Sequence, residues 1–275
     1  MKVSLIISTY NWPGALERVL ASILIQSEMP HEVIVADDGS TESTRHVIDS
    51  YQQKLPCSLI HVWHPDTGFL VSTIRNKAAA QSTGDYLVYI DGDCVLRKHF
   101  IRNHRRIAKP GCFVTGNRIL LNQTFTEKVL AEKLPIFSWR PFDFSTTDVN
   151  RRWALFNLPF GWLRRLSPNR WQGVKTCNVS FFKKDFVAVN GFDETYRGWG
   201  LEDSDLAVRM LNQGLTRLSG RFAVTVMHLW HSTSAKDENK SNLPKLKQAI
   251  EEKKLWATEG INQYLTTSTD ISQSN

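Results

Sequence analysis

The stretch Gly84–Leu96 reads GDYLVYIDGDCVL. An apolar run, Tyr86 to Ile90, stops at Asp91-Gly92-Asp93. Five apolar residues in a row fit a strand covered on both faces. The two acids then stand at its polar end. Paired carboxylates near a core repel each other and lose hydration. A divalent cation removes both costs, because magnesium and manganese are commonly held by one or two carboxylates completed by substrate phosphates. The glycine between the acids lets the backbone turn and a ligand come close. Asp-Gly-Asp is also good turn chemistry, so its meaning depends on what surrounds it.

Upstream, the chain alternates between strand and helix patterns. KVSLIIS is a first apolar strand. In PGALERVLASILIQ, the residues Leu16, Val19, Leu20, Ile23 and Leu24 recur at the spacing of one helix face. Glu32 to Ala36 reads as a second strand, TESTRHVIDSYQQK as a helix, CSLIHVW as a third strand and LVSTIRNKAAAQ as a third helix. This alternation predicts right-handed crossovers and a mostly parallel sheet. Ligands bind beyond the carboxyl ends of such strands. Four polar strand ends therefore converge: Ser8-Thr9-Tyr10-Asn11, Asp37-Asp38-Gly39-Ser40, His64-Pro65-Asp66 and Asp91-Gly92-Asp93. That setting favours the cation reading over the plain turn. The predicted fold class is α/β: a Rossmann-like α/β/α sandwich in one globular unit. Residues 1–115 form a nucleotide-binding half, residues 116–265 a second half of the same domain, and 266–275 a disordered polar tail.

The second half is less regular. KTCNVSFFKKDFVAVNGFDE predicts a strand and a short helix. GWGLEDSDLAVRMLNQG is a glycine turn opening a helix that Gly214 ends. RFAVTVMHLWHS reads as a late strand ending in His228 and His231. Leu243 to about Leu265 is expected to form one charged amphipathic helix. Negative charge at a helix start is stabilised by the dipole, so Asp205 is read as a capping acid. Trp199, between Gly198 and Gly200, suits an exposed stacking position better than a core.

The 275 residues carry a formal net charge of +7. That favours an acidic partner: nucleic acid, anionic lipid or a phosphorylated substrate. The stretch NRRWALFNLPFGWLRRLSPNRW mixes basic and aromatic residues, as single-strand nucleic-acid binders do. No helix-turn-helix, RNA-recognition or zinc pattern accompanies it, so nucleic acid is not expected as a partner. Cys57, Cys94, Cys112 and Cys177 are scattered without a CxxC pair, which suits a reducing cytosol. The first residues lack the pattern of a signal peptide, and no apolar stretch approaches a membrane span.

Three upstream motifs, SLIISTYNWPGALERVLASILIQ, EVIVADDGSTEST and IRNKAAAQSTGDYLVYIDGD, resemble the nucleotide-sugar half of the family 2 glycosyltransferases of the GT-A fold. GFDETYRGWGLEDSDLAVRM is similar to the acceptor-side motif of β-1,4-galactosyltransferases and chondroitin-type polymerases. The resemblance implies roles residue by residue. Thr9 and Asn11 touch the nucleotide base and ribose. Asp38, or its neighbour Asp37, meets the uracil. Arg75 lies near the nucleotide, Asp91 binds ribose or metal-bound water, and Asp93 binds the metal. His231 completes the metal site, with His228 as second candidate. Asp203 is the general base, Glu202 binds the acceptor sugar and Trp199 stacks on it.

The implied reaction is transfer of a sugar from a UDP-sugar to a glycan hydroxyl with inversion, dependent on Mn2+ or Mg2+. A carboxylate–imidazole site suits manganese as well as magnesium. A nucleotidyltransferase would want a Gly-rich, cation-bearing loop after the first strand, and STYNWPG lacks it. Family relatives act on lipopolysaccharide- or capsule-type acceptors. The expected location is the cytoplasm, with peripheral contact to an anionic membrane through Arg151, Arg152, Trp153, Phe156, Phe160, Trp162, Arg164, Arg165, Arg170 and Trp171.

Overall fold

The structure, a computed structural model, describes residues 1–156, 161–232 and 239–265. Phe160, the side chain of Trp162 and the tail 266–275 lie outside the described residues.

The expected alternation is present. β1 (Val3–Thr9), α1 (Pro13–Leu24), β2 (Glu32–Asp37), α2 (Glu42–Gln52), β3 (Ser58–Trp63), α3 (Val71–Gln81) and β4 (Tyr86–Asp91) follow in order. After β4 come β5 (Cys94–Val95), α4 (Phe100–Ile107), β6 (Cys112–Thr115), β7 (Arg118–Leu120) and α5 (Gln123–Ala131). The chain then forms β8 (Asn178–Phe182), α6 (Lys183–Ala188), α7 (Glu202–Asn212), β9 (Thr216–Ser219), β10 (Val226–His228) and α8 (Asn239–Glu251).

Seven strands form one sheet in the order β3-β2-β1-β4-β8-β6-β9. β1 pairs in parallel with β2 and β4, and β2 with β3. β8 runs antiparallel between β4 and β6, and β9 is parallel to β6. The two halves of the chain thus share one sheet.

The unbroken apolar strands follow from burial on both faces. Leu5 and Ile7 of β1, Val33 and Val35 of β2, and Val88 and Ile90 of β4 join one core with Leu16, Val19 and Leu20 of α1. Ile6, Ile34, Leu87 and Tyr89, alternating with them, join a second core with Ile74 and Ala78 of α3 and Leu206 and Met210 of α7. At the start of β4, the backbone N–H groups of Thr83 and Gly84 donate to buried Glu32 at 2.6 and 3.1 Å. That pins the turn that launches the strand.

Three expectations change. The late strand is only Val226–His228, and it sits in a separate three-stranded sheet, β5-β10-β7. The C-terminal helix stops at Glu251; Lys253 turns into left-handed backbone at φ 50°, and a 3-10 turn at Ile261–Tyr264 follows. The helix gives way because buried Ala257 and Ile261 must reach the second core, where their N–H groups donate to Val189 and Asn190. Asp205 is not a solvated cap. It is fully buried and pairs with Arg209 at 2.8 Å, whose Nη1 donates to Val189 and Gly191 backbone oxygens at 2.6 and 2.8 Å.

Asp193 staples the C-terminal segment to the core. Its carboxylate accepts from Lys254 Nζ at 2.8 Å, Thr258 N at 3.0 Å and Thr195 Oγ1 at 2.7 Å. Burial works against the charge, but these donors win and hold the carboxyl down at about 2, below its ordinary 3.8. A depressed folded-state value stabilises above the unfolded value, and that contribution is lost as pH falls through the folded one. Asp193→Asn is expected to cost about 1–3 kcal/mol at pH 7. Thermal denaturation of both proteins should show the gap constant from pH 7 to pH 5 and narrowing below about pH 4.

Candidate active site

β1 and β4 are adjacent and parallel, so Ser8, Thr9, Asp91 and Asp93 emerge at one edge of the sheet. There a cleft of about 470 Å³ is lined by Thr9, Asp38, Arg75, Asp91, Asp93, Trp199, Glu202, Asp203 and His231, among others. A larger cavity of about 600 Å³, beside Arg97, His99 and Phe156, holds none of these residues. The cleft is the site because the carboxylates, histidines and strand ends meet in it.

The local geometry explains Asp-Gly-Asp. Gly92 N donates to Ser8 O at 2.6 Å, and a Cβ at Gly92 would lie 2.9 Å from Thr9 Oγ1. The glycine is required by the close approach of β1, and this packing sets Asp91 and Asp93 apart. Asp91 is partly open to the cleft; Asp93 is buried.

Asp93 faces two histidines. β10 pairs with β5 so that His228 lies opposite Cys94. The chain past β10 stays on the same side, with Leu229 N donating to Asp93 O at 3.0 Å. Asp93 Oδ2 is 3.5 Å from His228 Nε2 and 3.3 Å from His231 Nε2. Ligand atoms of all three lie within 4.8 Å of one another. The sequence left open which histidine accompanies Asp93; the structure brings both. Burial, reinforced by Asp91, raises the Asp93 carboxyl above its ordinary range, with the histidines opposing. Burial lowers His228 below its ordinary 6.5, which favours the neutral ligand form. This donor set fits a divalent cation: one oxygen and two imidazole nitrogens, with room for substrate oxygens.

Arg75 is nearly inaccessible. Its Nε donates to Ser8 Oγ at 2.9 Å, Nη2 to Asp91 Oδ1 at 3.0 Å and Nη1 to Glu202 Oε1 at 3.2 Å. Burial works against its charge, yet Asp91, Glu202 and Asp203 hold it firmly protonated. Glu202 Oε2 is buried and accepts no hydrogen bond among the described residues. Burial, then the neighbouring Asp203, raises the Glu202 carboxyl. Asp203 Oδ2 lies 3.6 Å from Lys175 Nζ.

The loop ahead of α7 is held in left-handed backbone. Gly198, Gly200 and Leu201 have φ of 70°, 103° and 75°. Buried Asn242 of α8 donates to Arg197 O and Gly200 O at 3.1 and 3.0 Å, fixing Trp199 at the cleft wall.

Other expected residues separate. Asp38 lines the cleft and accepts from His64 Nε2 at 2.7 Å and Leu70 N at 3.0 Å. Asp37 points into its own turn, accepting from Ser40 N at 2.8 Å and contacting His61 at 2.9 Å. Asn11, at φ 45°, holds Thr41 N at 2.9 Å and ties the first loop to the second; it is absent from the cleft lining. Sequence reasoning missed Lys175, Arg118 and Asn242. Both Lys175 and Arg118 line the cleft; Lys175 heads a stretch read only as a strand and short helix, and Arg118 lies where the sequence pattern assigned no element.

A mostly parallel α/β sheet with carboxylates gathered at its strand ends is the architecture of GT-A folds, and the family comparison gives the class. The family model described as "Glycosyl transferase family 2" matches residues 4–170, and the chain belongs to that family. A second model, "N-terminal domain of galactosyltransferase", matches residues 167–231. The match places the chain in the family its upstream motifs resemble.

Relatives include validoxylamine A glucosyltransferase of Streptomyces hygroscopicus subsp. limoneus, 27% identical over 78% of this chain and 48% of that protein. Chondroitin synthase of Pasteurella multocida is 26% identical over 77% of this chain and 23% of that protein. The chain thus spans about half the length of the first and a quarter of the second. Among solved structures, S. aureus TarS 1-349 in complex with UDP aligns with TM-score 0.61 and 17% identity, over 96% of this chain and 70% of that one. The mannosyltransferase PcManGT from Pyrobaculum calidifontis, in complex with GDP-Man and Mn2+, aligns with TM-score 0.59 and 17% identity, over 96% and 72%. These likenesses establish the fold.

Metal binding requires Asp93 charged and His228 neutral. Acid protonates both, so affinity is expected to fall as pH falls. Titration with Mn2+ should weaken on the order of tenfold between pH 7 and pH 5. Asp93→Ala should abolish binding at either pH while leaving the circular dichroism spectrum unchanged.

Proposed function

We propose that this protein transfers a sugar from a UDP-sugar to a hydroxyl of a glycan acceptor, with inversion, at the cleft between β4 and α7. The observation that carries this reading is the opposition of two acidic sets: Asp91 and Asp93 on one wall, Glu202 and Asp203 on the other, in one cleft. On this reading Thr9 and Asp38 hold the nucleoside, and Asp91 the ribose. Asp93, His228 and His231 hold Mn2+ or Mg2+, which supplies positive charge against the diphosphate leaving group. Arg118 adds a cation near His228, and Lys175 adds one beside Asp203 on the other wall. Arg75 serves by orienting Asp91 and Glu202.

On the acceptor side, Glu202 Oε2 is a buried oxygen awaiting a donor; a sugar hydroxyl meets that need. Trp199, 38% exposed, offers a stacking face. Asp203 takes the proton from the attacking hydroxyl. That hydroxyl attacks the anomeric carbon opposite the phosphate, the C–O bond to phosphate breaks, and the pair leaves on the nucleoside diphosphate. A single displacement needs no enzyme nucleophile, and an α-linked donor gives a β-glycoside.

A membrane-presented acceptor of the lipopolysaccharide or capsule kind, met from the cytoplasmic side, is supported by an exposed aromatic cluster. Phe142, Trp153 and Phe156 are 69%, 51% and 38% exposed, with ring centroids 5.6–6.2 Å apart. The Arg152 guanidinium lies 4.8 Å over Trp153. Aromatic and basic residues together suit the headgroup level of an anionic leaflet. Among the described residues no helix is long and apolar enough to cross a membrane.

Asp203→Asn keeps the shape but cannot accept the proton. It should lower turnover by about 10²–10⁴ with UDP binding unchanged. A loss confined to UDP affinity would remove Asp203 from that role. Co-sedimentation with anionic vesicles should drop when Trp153 and Phe142 are both replaced by Ala; equal pelleting would sink the membrane contact.

A further inference from the structure

Beyond the cleft, a second concavity of about 490 Å³ is lined by Arg164, Arg170, Arg217 and Arg221, with Ser167, Gln172 and Ser219 among its other walls. Among the described residues, its lining holds four arginines and no carboxylate. Two of the arginines build it. Arg217 Nε donates to Thr115 Oγ1 at 2.8 Å, and its Nη1 to Arg170 O and Gln172 O at 3.0 and 2.9 Å. Arg164 Nη1 donates to Ser219 O at 2.8 Å and Arg221 O at 3.2 Å. Spending donors on backbone carbonyls fixes these guanidiniums and draws the segments carrying Arg170 and Arg221 together. Burial, together with the charges of Arg170 and Arg221, lowers Arg217 below the usual guanidinium range. Four like charges thus gather around one concavity, a setting that suits an anion.

The location gives this basin a purpose. β9 is parallel to β6, β6 antiparallel to β8, and β8 antiparallel to β4. β9 and β4 therefore point the same way, and Ser219 ends at the same sheet edge as Asp91. Three strand spacings separate them, about 14 Å. The loop that lines the basin at Arg170, Gln172 and Gly173 continues into the cleft at Lys175, Thr176 and Cys177. We infer that Arg164, Arg170, Arg217 and Arg221 form a phosphate-binding site that holds a charged group of the acceptor while its hydroxyl reaches Asp203. Planar forks match phosphate oxygens bidentately. The acceptor assignment rests on the transferase reading; the anion site does not.

The test uses inorganic phosphate as probe. Calorimetric titration compares the wild type with the double variant Arg170→Gln/Arg221→Gln, whose side chains lie outside the catalytic cleft. The wild type should bind, and the double variant should bind about tenfold or more weakly. Arg170→Lys/Arg221→Lys keeps the charge and should recover part of the affinity. Equal phosphate binding by wild type and Gln variant, or none by the wild type, overturns the site. UDP with Mn2+ is titrated into the same preparations. Unchanged UDP affinity in the Gln variant shows the donor cleft intact; failure of UDP with the wild type would remove the donor reading and leave the basin standing. Vesicles with phosphatidic acid, against phosphatidylcholine alone, separate the sources. Pelleting lost in the Gln variant identifies a lipid phosphate. Phosphate binding without pelleting identifies a soluble phosphorylated acceptor.

Discussion

The buried guanidinium of Arg75 is the interaction on which the site depends. It sits on α3 and reaches Ser8 on β1, Asp91 at the end of β4 and Glu202 at the start of α7. Four segments, distant in sequence, are thereby placed against one another. Without that charge, Asp91 and Glu202 would be desolvated acids facing Asp93 and Asp203. The Coulomb repulsion among them would open the cleft. A buried ion network of this kind adds little net stability, because dehydrating each ion offsets its attraction. Its value is position: it fixes where two carboxylates point.

The rest of the site is arranged to keep opposite demands apart. On the β4 side, burial raises Asp93 while the same burial keeps His228 neutral. On the α7 side, Glu202 and Asp203 sit in the first turn of a helix, where the macrodipole favours negative charge. Arg75 and Lys175 face them. The left-handed run at Gly198, Gly200 and Leu201 is anchored from α8 by Asn242. The C-terminal segment is anchored in turn by Asp193 and the backbone of Asn190. The α7 wall of the cleft therefore depends on Asn242, 42 positions beyond Gly200 in the chain.

Much was legible because the parallel half of the sheet is written in local patterns. Strands β1, β2 and β4 are apolar in their central runs, since helices cover both faces, and each ends in polar residues at one edge. Asp91, Asp93, Trp199, Glu202 and Asp203 could be named from their motifs and do line one cleft. Other positions were set by packing that the sequence does not display. Asp37 and Asp38 are indistinguishable in a turn sequence, yet only Asp38 faces the cleft, while Asp37 is consumed by Ser40 and His61. Asp205 had the sequence position of a cap, but Arg209 one turn on buries it as a pair. Lys175 carries no motif, and its nearness to Asp203 arises from loop packing.

The sequence by itself determined the order of strands and helices from β1 to β4, the edge at which their polar ends gather and the acidic residues that line the cleft. These follow from period, burial and strand polarity, which are local. Tertiary structure decided the partners. His228 and His231 converge on Asp93 only because β10 pairs with β5 in a second sheet. Arg75 became a bridge only because α3 and α7 pack on the same face of the main sheet. The four arginines of the basin met only because β9 joined the far edge of that sheet beside β6. Contacts between segments so far apart depend on strand pairing and crossover packing, and neither leaves a mark in the spacing of residues.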